Sequence, residues 1–263
     1  MSLELSRLTP AGVRAHFRTD PEPRPTAGLS PGYAQANLII LPREYAYDFL
    51  LFAHRNPRAC PVLEVTEAGQ RDLPFLAPDG DVARDFPLYR VYKDGVLQSE
   101  PRSVEHLWRD DLVSFLIGCS FSFEWALQRA GVPVRHIEEN RNVPMYLTNI
   151  PCKSAGVFSG NMVVSMRPIP AGLIPLAVTT TAQMPRVHGA PVHVGDPAAI
   201  GIADLARPDF GDAVTIRPGE LPVFWPCGVT PQAAVMQSRP SLAITHAPGH
   251  MLVCDVPNDA LMG

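Results

Sequence analysis

The sequence lacks the features that define several large classes of protein. No apolar run approaches the roughly 18 to 20 residues needed to cross a bilayer, and the first residues resemble neither a signal peptide nor a transit peptide. Its 22 basic residues are outnumbered by 26 acidic ones, so no polycationic surface for a phosphate backbone is expected. We therefore predict a cytoplasmic protein that binds neither membranes nor nucleic acid.

Common metal-binding and nucleotide-binding motifs are also missing. The five cysteines include no C-x-x-C pair, so neither a disulfide framework nor a structural zinc site is expected. No G-x-G-x-x-G follows a strand, and neither G-x-x-x-x-G-K-[ST] nor H-E-x-x-H occurs. Dinucleotide binding, P-loop hydrolysis and the commonest metalloprotease design are therefore not favoured, and we predict a protein without a cofactor or metal.

Proline, in contrast, is abundant. The 263 residues include 29 prolines and 19 glycines, and 46% of the chain is hydrophobic. This composition is too apolar for a Pro-rich disordered region and predicts short strands and helices joined by fixed turns.

Hydrophobic periodicity predicts both helices and strands along the chain. Helices are predicted over 10–18, 42–54, 103–118, 120–129, 197–205 and 230–237. Strands are predicted over 32–40, 61–65, 88–92, 161–166, 172–178, 223–225 and 251–256, and a further short strand is predicted to start at 96. Helical periodicity is almost absent between about 134 and 220. This shift predicts a strand-rich α+β unit at 136–222, inserted into a main α/β unit of 1–135 and 223–263. A single domain is the alternative, since Pro-rich loops and no linker join the two parts.

One short apolar stretch contains several reactive and polar side chains. A helix that starts there would present free N–H groups, which would lower the pKa of Cys119, while Ser120 or Ser122 would cap the helix or bind substrate. Neighbouring aromatic rings would desolvate Glu124 and raise its pKa towards general acid–base use. The alternatives are a packed, unreactive cysteine and a Glu124 that is solvated or paired with Arg129.

A loop rich in glycine and proline carries His188, His193 and Asp196. Both imidazoles titrate near neutral pH, so one could transfer a proton while the other binds substrate. A metal site completed by Asp196, His246 or His250 is an alternative, as are ordinary loop histidines with satisfied hydrogen bonds.

Two further turns constrained by proline and glycine contain Cys227 and His246. Cys227 could be a nucleophile with a histidine base, or a buried and unreactive thiol. Arg43, Arg141 and Arg167 could each bind a carboxylate through paired hydrogen bonds, or form a surface pair with an acidic residue.

The chain as a whole resembles a known family. Strings spread over roughly residues 28–256 are similar to the bacterial hydro-lyase family and to one part of animal D-glutamate cyclase: PGYAQANLIILP, DFLLFAHRNPRACPVLEV, DLVSFLIGCSFSFEWAL, VPMYLT, VVSMRP, HGAPVHVGDPAAIGIADLARPDFGD, ELPVFWPCGVTPQ and ITHAPGHML. The resemblance implies a two-part α/β fold of mixed α+β character with mixed sheets. It also implies a carbon–oxygen lyase that eliminates water, and it brings no list of catalytic residues.

These observations together predict a cofactor-free hydro-lyase acting on a small carboxylated substrate, with cyclisation of D-glutamate to 5-oxo-D-proline as a candidate reaction. Glu124 or His193 would transfer protons, and the backbone at Cys119 and Ser120 would stabilise an oxyanion. The residues expected to bind substrate are Arg43, Arg167, Ser122, His188, Asp196, Cys227 and His246. A non-catalytic carboxylate-binding protein and a metal-dependent hydrolase using the loop histidines are the alternatives, and a homodimer is the default assembly.

Overall fold

The computed structural model describes residues 5–19 and 22–263, in which helices alternate with antiparallel strands. The helices are α1 (Pro10–Thr19), α2 (Arg43–Arg55), α3 (Phe121–Arg129), α4 (Arg135–Glu138), α5 (Ile174–Ala182) and α6 (Thr230–Ser238). The strands are β1 (Tyr33–Pro42), β2 (Val62–Val65), β3 (Tyr89–Lys93), β4 (Val96–Ser99), β5 (Leu112–Gly118), β6 (Met145–Pro151), β7 (Asn161–Pro170), β8 (His193–Val194), β9 (Glu220–Pro226), β10 (Ala243–His246) and β11 (Leu252–Pro257). Within the described residues, no helix has the length and apolar character to cross a membrane.

The larger sheet is organised around β1. Its strand order is β2-β5-β1-β10-β3-β4, and β11 pairs with β1 along the same edge as β10. Leu38 and Ile40 enter one hydrophobic core, while Ile39 and Leu41 enter a second. This alternation follows from the two-residue period of a strand, and it gives the sheet an apolar layer on each face.

The smaller sheet has the order β6-β7-β9-β8 and is built entirely from strands between 145 and 226. It shares a core with the larger sheet, because Ile169 of β7 and Trp225 of β9 pack in the same cluster as Leu38 and Leu116. The mixed α+β class is therefore confirmed. Every described strand pair is antiparallel, however, where mixed sheets were expected. The division into two units at 136–222 stays a prediction.

Most predicted elements are confirmed, but the helix expected over 103–118 is wrong. The chain there forms one 3-10 turn, Glu105–Leu107, and then the strand β5. Because all seven residues of β5 are buried, its sequence is almost continuously apolar and cannot show the alternation of a half-buried strand.

Two other predictions need correction. The apolar run at 172–178 belongs to α5, with Pro175 in its first turn, where proline suits a helix. The helix expected over 197–205 is only the 3-10 turn Pro197–Ile200, although Asp196 caps it as predicted, accepting a 3.0 Å hydrogen bond from the N–H of Ala198. β10 was not predicted.

Gly118 ends β5 where a loop crosses it closely, and this contact makes a testable prediction. A Cβ atom at Gly118 would lie 2.0 Å from the carbonyl oxygen of Arg186, which is a backbone atom and cannot swing away. We expect Gly118→Ala to lower the free energy of unfolding by about 1–3 kcal/mol, measured by urea denaturation. Gly172→Ala is the matched control, because nothing lies within 4 Å of its Cβ position. Equal stability of the two variants would contradict this account.

Candidate active site

Glu124 lies in the first turn of α3 and is only 2% exposed. The helix follows β5 after Cys119 and Ser120, and Phe123 in its first turn packs on Trp225 of the smaller sheet at a centroid distance of 5.5 Å. One carboxylate oxygen, Oε1, contacts both Arg167 and His136. Two groups that are cationic when protonated therefore meet a single buried carboxylate.

Arg167 of β7 directs its guanidinium group entirely at other side chains of the protein. Its Nε donates to Oε1 of Glu124 at 2.9 Å, and Nη2 donates to the same oxygen. Nη2 also donates to the hydroxyl of Ser120 at 3.0 Å, and Nη1 donates to the hydroxyl of Ser165 at 3.0 Å. Such charge-assisted bonds fix the carboxylate in one orientation.

Two aromatic rings, Phe123 next to Glu124 in the sequence and Trp225 of β9, lie beside Arg167. Its guanidinium carbon lies 5.0 Å from the ring centre of Phe123 and 5.5 Å from that of Trp225. The expectation that Arg167 binds a substrate carboxylate is therefore corrected, because its donors are engaged and its side chain is fully buried. Arg167 instead positions Glu124.

His136 completes this cluster and was not among the residues predicted from the sequence. Its Nε2 lies 3.2 Å from Oε1 of Glu124, and its ring stacks on Phe121 at a centroid distance of 6.0 Å. A carboxylate beside one imidazole nitrogen fixes the orientation of the ring, as in catalytic Asp–His and Glu–His pairs.

The turn after α3 brings His136 to Glu124. Gly131 has a φ of +80°, a left-handed conformation that suits glycine at the end of a helix. The N–H of Val132 then bonds to the carbonyl of Leu127 at 2.9 Å, and Val132 and Val134 enter the core. The chain is thereby reversed, and α4 packs beside the start of α3. The sequence predicted a helix over 120–129, and a histidine soon after its end was the available signal.

The charges in the cluster change the predicted acid–base properties of Glu124. Burial by itself raises the pKa of Glu124, but the nearby charges of His136 and Arg167 outweigh burial, and the pKa is lowered. The predicted increase was therefore wrong. Glu124 is ionised at neutral pH and is suited to accept a proton or to stabilise a cation, not to donate a proton.

The two cysteines near the cluster are unreactive thiols. Burial raises the pKa of Cys119 well above its usual value and raises that of Cys227 to about 11. The expected lowering by a helix N-terminus is wrong for Cys119, because desolvation exceeds the one weak backbone contact, from the N–H of Phe121 to its sulfur at 3.5 Å. Both thiols pack in one apolar cluster and remain protonated at neutral pH.

Neither predicted serine acts as a helix cap through its side chain. Ser120 occupies the cap position without a capping hydrogen bond, and its hydroxyl accepts from Arg167 instead. The hydroxyl of Ser122 accepts from the N–H of Gln35 at 2.9 Å and so joins α3 to β1.

The remaining predicted histidines lie outside the cluster around Glu124. His188 is buried, its Nδ1 lies 2.8 Å from the carbonyl of Arg58, and burial lowers its pKa to about 4. His246 of β10 accepts a 3.0 Å hydrogen bond from the N–H of Leu38, and burial lowers its pKa to about 3. Both are therefore neutral at pH 7 and bonded to the backbone.

His193, Asp196 and Arg43 are likewise separate from Glu124. Nε2 of His193 lies 2.7 Å from the backbone carbonyl of Asp196, whose side chain caps a turn, and Arg43 is exposed at the start of α2. Within residues 5–19 and 22–263, no three histidine, cysteine, aspartate or glutamate side chains are grouped so as to hold a metal ion. Of the predicted residues in 188–196 and 225–246, Cys227 alone shares a cluster with a residue of 119–124, namely Cys119.

Two cavities adjoin the Glu124–His136 pair. One, of about 500 Å³, is named the His136 pocket and is lined by Glu22, Pro23, Arg24, Pro25, Ala27, His136, Ile137, Asn140, Arg141, Asn142 and Asp212. The other, of about 260 Å³, is named the Glu124 pocket and includes Glu124, Gln35 and Asn258 in its wall. Ile137 lines both cavities.

Arg141 is the predicted carboxylate-binding arginine that lies at a cavity. It lines the His136 pocket, its Nη1 donates to the carbonyl of Ala213, and its Nε lies 3.7 Å from Glu139. Its guanidinium is about half exposed. An incoming carboxylate would therefore meet a cation there together with a histidine held by a buried carboxylate.

Comparison with known proteins finds a matching family model and relatives of nearly the same length. A family model described as D-glutamate cyclase matches residues 113–255, a range that includes Glu124, His136, Arg141 and Arg167. The chain is 60% identical to a protein named "Putative hydro-lyase" from Clostridium beijerinckii, over 97% of this chain and 98% of that one. It is 61% identical to a protein of the same name from Mycolicibacterium gilvum, over 100% and 99% of the two chains.

A solved structure of a nitrogen repressor-like protein from Methanococcus jannaschii aligns with a TM-score of 0.37 and 6% identity, covering 84% of this chain and 87% of that chain. A similarity of this size supports no statement about function.

Proposed function

The chain is an enzyme of the D-glutamate cyclase family, and from that premise we propose that it eliminates water from a small carboxylated substrate bound in the His136 pocket. The substrate is D-glutamate and the product is 5-oxo-D-proline. The observation that carries the proposal is the contact between His136 and the buried Glu124 carboxylate at the wall of a cavity that also contains Arg141.

The reaction requires proton transfer and no redox chemistry. The amino nitrogen forms a bond to the γ-carbon, and one bond from that carbon to oxygen breaks. An ammonium nitrogen loses two protons, and the departing oxygen gains two and leaves as water. One group that accepts protons from nitrogen and returns them to oxygen can serve both steps, and an imidazole side chain is such a group.

The described side chains divide these tasks between them. Glu124 holds Nε2 of His136, which leaves Nδ1 as the ring nitrogen for exchange with the substrate, and its charge stabilises the imidazolium that forms. Arg167 keeps Glu124 ionised and oriented. Arg141 binds a substrate carboxylate, since a guanidinium group matches the two oxygens of a carboxylate.

The direct test is incubation of the purified protein with D-glutamate, followed by chiral detection of 5-oxo-D-proline, with L-glutamate as the parallel substrate. We expect product from D-glutamate. If D-glutamate stabilises the protein against heat but no product forms, the chain is a carboxylate-binding protein and the proposed reaction is wrong.

Removal of the Arg141 charge tests the position of the substrate. Arg141→Gln is expected to raise KM for D-glutamate by about 10- to 100-fold, because a charge-assisted hydrogen bond to a carboxylate contributes about 1.5–3 kcal/mol. Steady-state kinetics measure the change. Arg109→Gln is the matched control, since Arg109 is about half exposed and pairs with Asp111 away from the cavity. A KM that is the same in both variants would place the substrate elsewhere.

A further inference from the structure

The Glu124 pocket differs in charge from the His136 pocket. Its described lining has fourteen residues, among them Gln35, Glu124 and Asn258. None of the fourteen is lysine, arginine or histidine, and Glu124 is the one carboxylate among them. A ligand in this cavity therefore meets one carboxylate and no cationic side chain in the lining.

Three buried acceptor oxygens belong to residues of this wall. They are Oε1 of Gln35, Oε2 of Glu124 and Oδ1 of Asn258, and none has a hydrogen-bond partner among the described residues. The three residues are at most 3% exposed. A buried acceptor without a partner costs about 1–3 kcal/mol, so three around one cavity indicate a ligand that supplies donors.

Several other polar atoms of these residues are already engaged. Nε2 of Gln35 donates to the carbonyl of Thr26 at 2.8 Å, which leaves its Oε1 as the free end of the amide. Arg167 and His136 both approach Oε1 of Glu124, not Oε2. The backbone N–H of Asn258 bonds to the carbonyl of Gly32 at 2.8 Å and holds Asn258 beside the cavity.

We propose that the Glu124 pocket binds a primary ammonium group, either the free ammonium ion or the head of a small organic amine. Such a group carries a positive charge and up to four N–H donors without an acceptor, so it suits a wall of unpaired acceptors that includes one carboxylate. Water also donates to such oxygens, but it brings no positive charge to the carboxylate. The volume of about 260 Å³ admits a short alkyl chain on the nitrogen.

This inference does not depend on the proposed reaction, because binding is measured without D-glutamate. The melting temperature of the full chain is followed while ammonium chloride, ethylammonium chloride or tetramethylammonium chloride is added at constant ionic strength. We expect ammonium or ethylammonium to raise Tm saturably by about 2–4 °C. Tetramethylammonium has no N–H and is expected to have no such effect. A greater affinity for ethylammonium would identify an organic amine as the ligand.

Substitutions at Asn258 locate the site. Asn258→Asp adds a negative charge at nearly the same volume and is expected to tighten ammonium binding about tenfold, whereas Asn258→Leu is expected to abolish the saturable shift. Asp259→Asn is the matched control: Asp259 is the next residue, it is exposed, and it does not line the cavity. If Asn258→Leu does not fold, the ammonium affinity of Asn258→Asp still tests the site.

The proposal is overturned if the three salts have equal effects, since the cavity then holds water only. It is also overturned if Asn258→Asp leaves the ammonium affinity unchanged.

Discussion

Replacement of His136 with glutamine is expected to lower kcat for the formation of 5-oxo-D-proline by about 100- to 10,000-fold, the usual contribution of a positioned acid–base group. Glutamine retains an N–H donor towards Glu124 but cannot take up a proton near pH 7. KM should change little, because Arg141 and not His136 binds the carboxylate. Steady-state assays of the purified variant, with folding checked by circular dichroism, measure both constants.

His106→Gln serves as the control for this variant. His106 is an exposed histidine in a 3-10 turn far along the chain from α4, so its loss should not alter kcat. If His136→Gln retained a kcat within a few-fold of the parent enzyme, His136 would not be the group that transfers protons.

The second large effect is expected on stability. Arg167→Met should lower the free energy of unfolding at pH 7 by about 3–5 kcal/mol, because it leaves the buried carboxylate of Glu124 without the guanidinium group that donates hydrogen bonds to it. Urea denaturation measures the loss. In the Glu124→Gln background the same substitution should cost less, since no buried anion then remains. Equal losses of unfolding free energy in the two backgrounds would show that the Glu124–Arg167 ion pair does not contribute to stability.

The same ion pair predicts a pH dependence. Although burial opposes it, the charges of His136 and Arg167 lower the pKa of Glu124 below its usual value of 4.5. The folded protein therefore holds a proton on Glu124 less readily than the unfolded chain does, so stability is present above about pH 4.5 and is lost as pH falls through the lower folded pKa. Glu124→Gln should reduce this acid-induced loss, as measured by denaturation at pH 7 and pH 3.

Local sequence patterns predicted the setting of Glu124 but not its partners. Phe121, Phe123 and Trp125 correctly indicated a desolvated carboxylate on a short helix. Arg167 and His136 reach Glu124 through the packing of β7 and the turn after α3, and no local pattern encodes those contacts. The predicted direction of the Glu124 pKa shift was therefore wrong, because burial was visible in the sequence and the compensating charges were not.

The other residues predicted for the site also depended on contacts that local sequence patterns do not encode. Cys119 and Cys227 were expected in one site, and they do pack in one cluster at the ends of two strands. His193 and His246 belong to strands whose register places them elsewhere, opposite Phe224 and Tyr89 respectively. Register depends on pairing between distant segments, so residue types at constrained turns could not separate these cases.

The most direct test of the central claim is a double-mutant cycle on kcat/KM for D-glutamate with Glu124→Gln, His136→Gln and the double variant. If Glu124 acts only by holding and charging His136, the double variant should be about as slow as His136→Gln alone, as for residues that act as one unit. If the two separate losses multiply in the double variant, Glu124 and His136 act independently and the proposed pair is wrong.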